Sequence, residues 1–541
     1  MCMGAGGGAG VSERYDVVVA GFGPVGQVAA NLLGQRGFRV AVFETATSVY
    51  NLPRAAHFDG EIMRVFQSIG LAEAVLPSCT PVLGYHFLNA RGELLMAADL
   101  RDGPTATGWL QGYLFYQPDL EAALQEGVRR FPNVELYAGH EVLDIAQDAE
   151  GVQVRVRELA SGDERRVEAD WLWGCDGARS LVRRAAGIVL EDLIFDQPWL
   201  VIDTMLKREV DLPDVPQQIC DPARPTTFIP SAGRHRRWEF MLMPGDDPAQ
   251  MESPDTVWRL LDGWITPDDA EVVRATVYSF HALIAKEYRR GRIFIVGDAA
   301  HQMPPFLGQG MCAGIRDAAN LVWKLDLVHR GVARDFLLDT YFEERSAHVR
   351  TIIQRAVTAG RIIQTTDPTV AEARDRMFRS GEREPAGPGD PLLEVRMPGL
   401  TGGLLERTGV GSAAGDMFPQ TIVERDGRPL RLDEALGDGF AIVAGPDDAR
   451  VIQDAAQEAW AFLGPRFIHV QPPTAGGSPV ENAVTVRDRE GYVLDWLRKH
   501  GSAVVRPDRY VYGAVRKADE LIALAESLRS HLGVRSSTAA A

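Results

Sequence analysis

Ile293-Phe294-Ile295-Val296, four large apolar residues of which three are β-branched, predict a short buried strand behind the polar Arg292. Gly297 permits a tight turn, Asp298 stands at the strand's end, and Ala299-Ala300-His301 leads into a Pro304-Pro305 bend. Gly308-Gln309-Gly310 then opens a helix over about Met311 to Leu327, where Ile315, Ala318, Ala319, Val322, Trp323 and Leu325 recur at a period of about 3.6 residues. An acid at a strand end, a glycine-rich bend and a helix N-terminus make a site for a polar ligand carrying negative charge.

Two other stretches offer related chemistry. Asp16-Val17-Val18-Val19-Ala20 reads as a strand running into Gly21-Phe22-Gly23-Pro24-Val25-Gly26 and a helix from Gln27 to Gln35. Arg39-Val40-Ala41-Val42-Phe43 reads as a second strand, ending in Glu44. In that setting the glycines are a dinucleotide fingerprint. Gly21 serves the turn, Gly23 lets backbone approach a pyrophosphate, Gly26 allows close helix packing, and Glu44 can accept from ribose hydroxyls. The fingerprint does not separate NAD from FAD, but Glu44 argues against a phosphate on that ribose. The strand Arg165 to Trp173 ends in Gly174-Cys175-Asp176-Gly177-Ala178-Arg179-Ser180, a second acid–glycine strand end whose plain alternative is a capped turn.

The elements that must hold these residues follow from the rest of the chain. A length of 541 residues implies two or three domains. The net charge of −17 argues against a nucleic-acid or anionic-membrane binder, and no apolar run reaches the length of a membrane span. The five cysteines are scattered without a C-x-x-C pair; no metal-ligand set is expected, and a reducing cytoplasm is. Tyr85 to Leu88 and Glu93 to Met96 form a hairpin, and Gln117 opens a helix. Strands dominate from Ile188 to Phe280, where Trp199, Phe228, Trp238, Phe240, Tyr278 and Phe280 supply core and pocket lining. His235-Arg236-Arg237 reads as a basic hairpin surface, and Thr366 to Pro391 as a linker rich in Pro, Gly and charge. An α/β unit follows it.

As a set, these motifs resemble the class A flavoprotein aromatic hydroxylases. The resemblance is carried by Gly21-x-Gly23-x-x-Gly26 with Glu44, Asp176-Gly177-x-x-Ser180-x-x-Arg183, Gly297-Asp298-Ala299-Ala300-His301-x-x-Pro304-Pro305, and Gly308-Gln309-Gly310 through Leu325. The unit around Val505-Arg506-Pro507-Asp508 resembles the thioredoxin-like appendage of the phenol-hydroxylase branch. Phe131-Pro132-Asn133-Val134, Cys220 to Pro225 and Arg237 to Met241 point within it to 3-(3-hydroxyphenyl)propionate hydroxylases.

The implied architecture is α/β. An FAD-binding Rossmann-like domain (13–185 with 285–365) carries an inserted β-rich substrate domain (186–284), which the hairpin 82–97 is placed to join. A linker (366–395) leads to a C-terminal thioredoxin-like α/β domain (396–535), with a disordered leader (1–12) and a tail (536–541). The implied cofactor is FAD, with NADPH or NADH and O2 as co-substrates, a small aromatic substrate, and a homodimer as the possible assembly. The implied reaction is ortho-hydroxylation of a phenol through a flavin C4a-hydroperoxide. A polycyclic polyketide as substrate, or flavin dehydrogenase chemistry without oxygen insertion, are the alternatives.

Carried over by residue, the cofactor contacts are Gly21, Gly23, Pro24 and Gly26 at the pyrophosphate and Glu44 at the ribose. Gln117 and Asp298, with Gly297, serve the ribityl chain; Arg54 lies near the flavin, although a solvated arginine is the plain reading of it. Asp176 and Gly177 serve FAD and nicotinamide, and Gly308, Gly310, Met311 and Cys312 the flavin edge. His281 and Pro304 are the catalytic candidates, and Tyr278, His281, Trp238 and Pro305 the substrate candidates. A satisfied interior histidine is the alternative for His281. Leu283 replaces an arginine that relatives often carry, and Cys312 an asparagine.

Overall fold

The computed structural model describes residues 14–48, 54–101, 105–380, 397–407, 413–452, 454–474 and 480–534. The expected leader and tail, and the Leu52-Pro53 entry to the Arg54 loop, lie outside them. The protein is mixed α/β with several sheets.

In the first sheet, Arg14–Ala20 lies between Val40–Glu44 and Glu164–Gly174, with Val134–Ala138 and Ile293–Ile295 on the flanks, all parallel. Arg14–Ala20, Val40–Glu44 and Ile293–Ile295 are buried on both faces along most of their length, which explains their near-continuous Val, Ile and Phe. Ala20 is opposite Gly174 and Phe43, and Gly174 is opposite Ile295, so the motif-bearing ends share one edge. The helices Pro24–Gln35 and Gly310–His329 pack together against the sheet.

The second sheet runs in the order His301–Gln302, Ala270–Ala285, Leu190–Leu206, His235–Met241, Thr226–Ile229, Gln217–Cys220, Gly84–Asn89, Leu94–Asp99. The early hairpin therefore completes it, pairing Gly84–Asn89 in parallel with Gln217–Cys220. Cross-strand partners share a face. Trp199, Asp203, Arg237, Met241, Arg274 and Tyr278 face the first sheet's side; Ile202, Trp238 and Ala275 point the other way. The outward face is closed by the helix Pro254–Leu261 over Leu200, Ile202, Phe228, Trp238 and Phe240.

Two expectations are corrected. The stretch read as a linker contains a helix, Pro368–Ser380, whose Arg374 is buried and donates to Asp375 (2.8 Å) and the Cys220 carbonyl (2.7 Å); 381–396 lie outside the described residues. The basic run at 235–237 is not a hairpin surface. Asp203, fully buried, accepts from His235 Nε2 (2.8 Å), Arg237 Nε (2.8 Å) and Arg274 Nη2 (2.7 Å). A buried charge must be paired, and here one carboxylate collects two guanidiniums and an imidazole from the two strands beside its own.

The third sheet, in the order Arg428–Arg431, Ile422–Arg425, Val484–Asp488, Arg466–Gln471, Ala441–Ala444, Ser502–Val505, Val511–Val515, forms the C-terminal unit. Its union with the rest of the chain is strongly ionic. Arg64 pairs with Asp433 (2.6 Å), and Arg506 with Glu344 (2.7 Å), which also holds Lys324 (2.9 Å). Asp508 Oδ2 accepts from Asn320 (3.1 Å) and from the Trp323 indole (3.1 Å).

Candidate functional site

Gly21 has φ +96°, and a Cβ there would stand 2.5 Å from the Cys175 carbonyl oxygen; at Gly26 it would stand 2.1 Å from the Gly21 carbonyl oxygen. Both glycines are required by backbone approach. Gly23, the residue preceding the helix at Pro24, is different: a Cβ there meets nothing within 4 Å, so the loop opens outward. Glu44 turns its carboxylate onto the loop, accepting from the Phe22 amide (2.7 Å) and the Ala46 amide (2.9 Å).

Arg183 ties the two acid–glycine strand ends together, donating to the carbonyls of Ala299 (2.9 Å) and Ala178 (3.0 Å). Asp176 accepts from Ser180 Oγ (2.5 Å) and the Val182 amide (3.0 Å), and Gly177 has φ +75° with open space at its Cβ. Gly297 has φ +65° and lies against Gly314, where a Cβ would come within 2.9 Å of the Gly297 Cα. Asp298 is exposed by area yet surrounded by protein. That enclosure raises its carboxyl pKa, against the pull of His301 and Arg54. We call the edge that Asp298 shares with the strand ends at Ala20 and Gly174 the groove.

Gln117 is buried, and its amide is committed: Oε1 accepts from the amides of Arg54 and Ala55 (both 2.7 Å), and Nε2 donates to Glu121 (2.6 Å). Gln117 thus shapes the Arg54 loop that borders the groove, and the Arg54 carbonyl accepts from Arg237 (2.6 Å). Farther along, Pro304 is buried and Pro305–Leu307 form one 3-10 turn, ended by Gly308 at φ +62°. The helix Gly310–His329 begins there without a side-chain cap, so Gly310, Met311 and Cys312 present amides that the helix cannot satisfy. The Cys312 thiol is buried, which pushes its pKa up.

Residues 14–356 match the family model described as FAD binding domain, and residues 415–531 the one described as HcaD C-terminal domain. A probable NADH-specific resorcinol 4-hydroxylase of Rhodococcus jostii (strain RHA1) is 39% identical over 522 residues, 95% of each chain. The chain belongs to the FAD-dependent aromatic hydroxylases. A 3-(3-hydroxy-phenyl)propionate/3-hydroxycinnamic acid hydroxylase of Mycobacterium sp. (strain KMS) is 37% identical, covering 92% of this chain and 88% of its own. Among solved structures, the flavin-dependent monooxygenase PieE with FAD and substrate superposes with a TM-score of 0.80 over 96% of this chain and 99% of its own, at 22% identity. Aklavinone-11 hydroxylase with FAD and aklavinone does so at 0.78, over 96% and 99%, at 23% identity. Those two likenesses concern the fold.

The groove of the hydroxylase fits FAD. Open loops at Gly23 and Gly177, the enclosed but accessible Asp298 and the uncapped helix start lie along the one edge where the parallel strands end. Over the Pro304–Leu307 turn, Phe306 packs edge-on against Trp199 (5.8 Å) and near Phe195 (6.2 Å), joining the groove to the inner face of the second sheet. Tyr278 lies on that face, its hydroxyl accepting from Arg274 (3.2 Å). Trp238 does not: it is fully buried on the opposite face against Phe228 (5.2 Å) and Trp264 (6.0 Å), so it lines core. His281 is on the same side as Ser279, opposite to Tyr278, with its side chain 40% exposed and Asp196 Oδ1 at 3.7 Å. It is neither at the inner face nor a satisfied interior histidine.

Sequence reasoning missed several groups. Asp317 fixes the Gly297 turn by accepting from its amide (3.1 Å), while holding His301 (2.7 Å) and Arg345 (2.8 Å). Burial works to raise its pKa, but His301 and Arg345 hold it low. Glu121, buried between Gln117 and Gln27, has its pKa raised by burial. Its spacing of four from Gln117 on one helix was the available signal. Asp16, Asp170 and His329 approach one another, but Arg14 takes Asp170 (2.5 Å) and the Arg39 amide takes Asp16 (2.7 Å).

Proposed function

We propose that this enzyme, an FAD-binding Rossmann-like domain with a β-rich substrate domain and a thioredoxin-like appendage, hydroxylates a small phenol ortho to its hydroxyl, with a reduced nicotinamide and O2. The observation that carries the reading is the uncapped helix start at Gly310–Cys312, which opens onto the groove that Asp298 and the Gly21 loop share. Bound there, FAD supplies hydride acceptance and oxygen activation.

The chain's own residues do the rest. Gly21 to Gly26 and Glu44 receive the dinucleotide end; Asp298, with Arg54 held by Gln117, borders the middle. The amides of Gly310, Met311 and Cys312 aim positive dipole at the flavin edge, where negative charge grows on reduction. Pro304 and Pro305 turn the chain so that Phe306, Trp199 and Phe195 wall the reaction space and exclude water. Tyr278 accepts at its hydroxyl oxygen from Arg274, which leaves the O–H as the donor to a phenolic or phenolate oxygen.

Two substrate classes fit this site: a 3-hydroxyphenyl alkanoate and an uncharged dihydric phenol. Asp203, with Glu239 3.9 Å from Arg237, matches the two guanidiniums of Arg237 and Arg274 on the inner face with two carboxylates, which favours the uncharged class. Incubating the yellow enzyme with NADH, resorcinol and 3-(3-hydroxyphenyl)propionate, and reading product mass against peroxide, tests this. NADH oxidation stimulated by neither class, or peroxide as sole product, overturns the hydroxylation of a small phenol.

A further inference from the structure

The C-terminal unit reaches the groove through buried hydrogen bonds. Tyr510, in the loop before the strand Val511–Val515, donates its hydroxyl to Glu61 Oε1 (2.9 Å). The other oxygen of Glu61 accepts from Arg316 Nε (2.7 Å). Arg316 sits on the helix that starts at Gly310, and its remaining nitrogens donate to Gln309 Oε1 (2.9 Å) and Asp59 Oδ2 (2.5 Å). Gln309 is the residue preceding that helix; its amide donates to the same Asp59 oxygen (3.0 Å), and its carbonyl accepts from the Ala313 amide (2.8 Å). Asp59, Gln309 and Arg316 thus close a ring that pins the first turn of the helix.

We propose that Tyr510 of the C-terminal unit is a positioning residue for the flavin site, holding Glu61 and through it Arg316, Gln309 and the helix start at Gly310–Cys312. The inference rests on the placement of that helix start beside the flavin. Packing alone does not fix Arg316. A cavity of about 50 Å³, bordered by Glu61, Arg316, Arg345, Arg509 and Tyr510, leaves one side of it unfilled. Hydrogen bonds therefore set the position of its guanidinium, and every partner is nearly excluded from water. A tyrosine hydroxyl buried at this interface would cost stability without its acceptor, so its chemistry and not its bulk makes the link.

The test compares full-length wild type with Tyr510→Phe, Glu61→Gln, Gln309→Ala and Asp433→Asn. Asp433→Asn breaks the Arg64 pair of the same interface and the pair with Arg509 (3.2 Å), while Asp433 takes no part in the ring's own hydrogen bonds. The readouts are the Kd for FAD by titration of the apoprotein, the midpoint potential of the bound flavin, and Tm. Tyr510→Phe is expected to weaken FAD binding about three- to ten-fold, the part of one charge-assisted hydrogen bond that reaches the helix start. Glu61→Gln, which removes a negative charge beside Arg316, is expected to raise the flavin potential. Asp433→Asn is expected to lower Tm and leave both flavin readouts unchanged. If Tyr510→Phe and Glu61→Gln lower Tm but leave the flavin readouts at wild-type values while Gln309→Ala shifts them, the link from the C-terminal unit is refuted. If Gln309→Ala leaves them unchanged as well, the placement of the helix start beside the flavin falls, and this inference with it.

Discussion

Replacing Asp203 by Asn tests whether one buried carboxylate organises the inner face of the second sheet. It is fully buried and accepts from His235, Arg237 and Arg274 at 2.7–2.8 Å. The asparagine amide would turn a donor toward guanidinium donors, stranding at least one buried cation. Breaking a buried pair in this way costs about 3–5 kcal/mol. Glu239, 3.9 Å from Arg237, compensates in part, which puts the expected loss near the lower end. At about 2–4 °C per kcal/mol for a body of this size, a loss of about 3 kcal/mol lowers Tm by roughly 6–12 °C. Thermal unfolding followed by circular dichroism measures it. Acid titration gives a second readout. Burial works to raise the Asp203 pKa, but Arg237, His235 and Arg274 hold it well below its ordinary 3.8. Its contribution is therefore present above pH 3.8 and lost as pH falls further, and the variant should lack that part of the acid limb. A Tm within about 2 °C of wild type, with an unchanged acid limb, would refute the reasoning.

Four other perturbations follow from the geometry. Gly26→Ala places a Cβ 2.1 Å from the Gly21 carbonyl oxygen and should yield colourless protein, read as the ratio of flavin to protein absorbance; a fully yellow variant contradicts the close approach. His281→Ala should keep kcat/KM within about two-fold of wild type, whereas a loss of about 100-fold would restore it as a proton-transfer group. Glu344, lowered to about 2 by Arg506 and Lys324 despite its burial, stabilises the folded chain above pH 4.5 and loses that effect toward pH 2. Chemical denaturation should therefore show Glu344→Gln least stable relative to wild type near neutrality and equal to it near pH 2. Lys324, lowered to about 8 by burial, is expected to make stability rise between pH 8 and 10.5, because the unfolded chain binds the extra proton there; Lys324→Met should remove that slope.

The strand ends were legible because their chemistry is local. A turn glycine, an acid and a helix start lie within a few residues of each other, as at Gly21–Gly26 and Gly297–Gly310. The inner face was not. His235 to Met241 is buried on both sides of its strand, so the alternation that would have set Trp238 apart from Arg237 is absent from the residue types. Three consecutive basic residues read as surface, because Asp203, the carboxylate that holds His235 and Arg237, comes from another strand. The helix Pro368–Ser380 escaped notice for a related reason: it buries Ala371, Arg374 and Asp375, an ion pair in place of an apolar stripe. Tyr510 and Glu61 are 449 residues apart, and no local pattern joins them.

The parallel pairing of Gly84–Asn89 with Gln217–Cys220 has a consequence for protein engineering. The sheet that would meet the aromatic ring is woven from two separate parts of the gene. A chimaera that imports only residues 190–285 from another hydroxylase would ask a foreign strand at 217–220 to hydrogen-bond along the recipient's own 84–89, in a register settled by neither parent. Specificity transplants in this enzyme should carry residues 82–99 and 190–302 together.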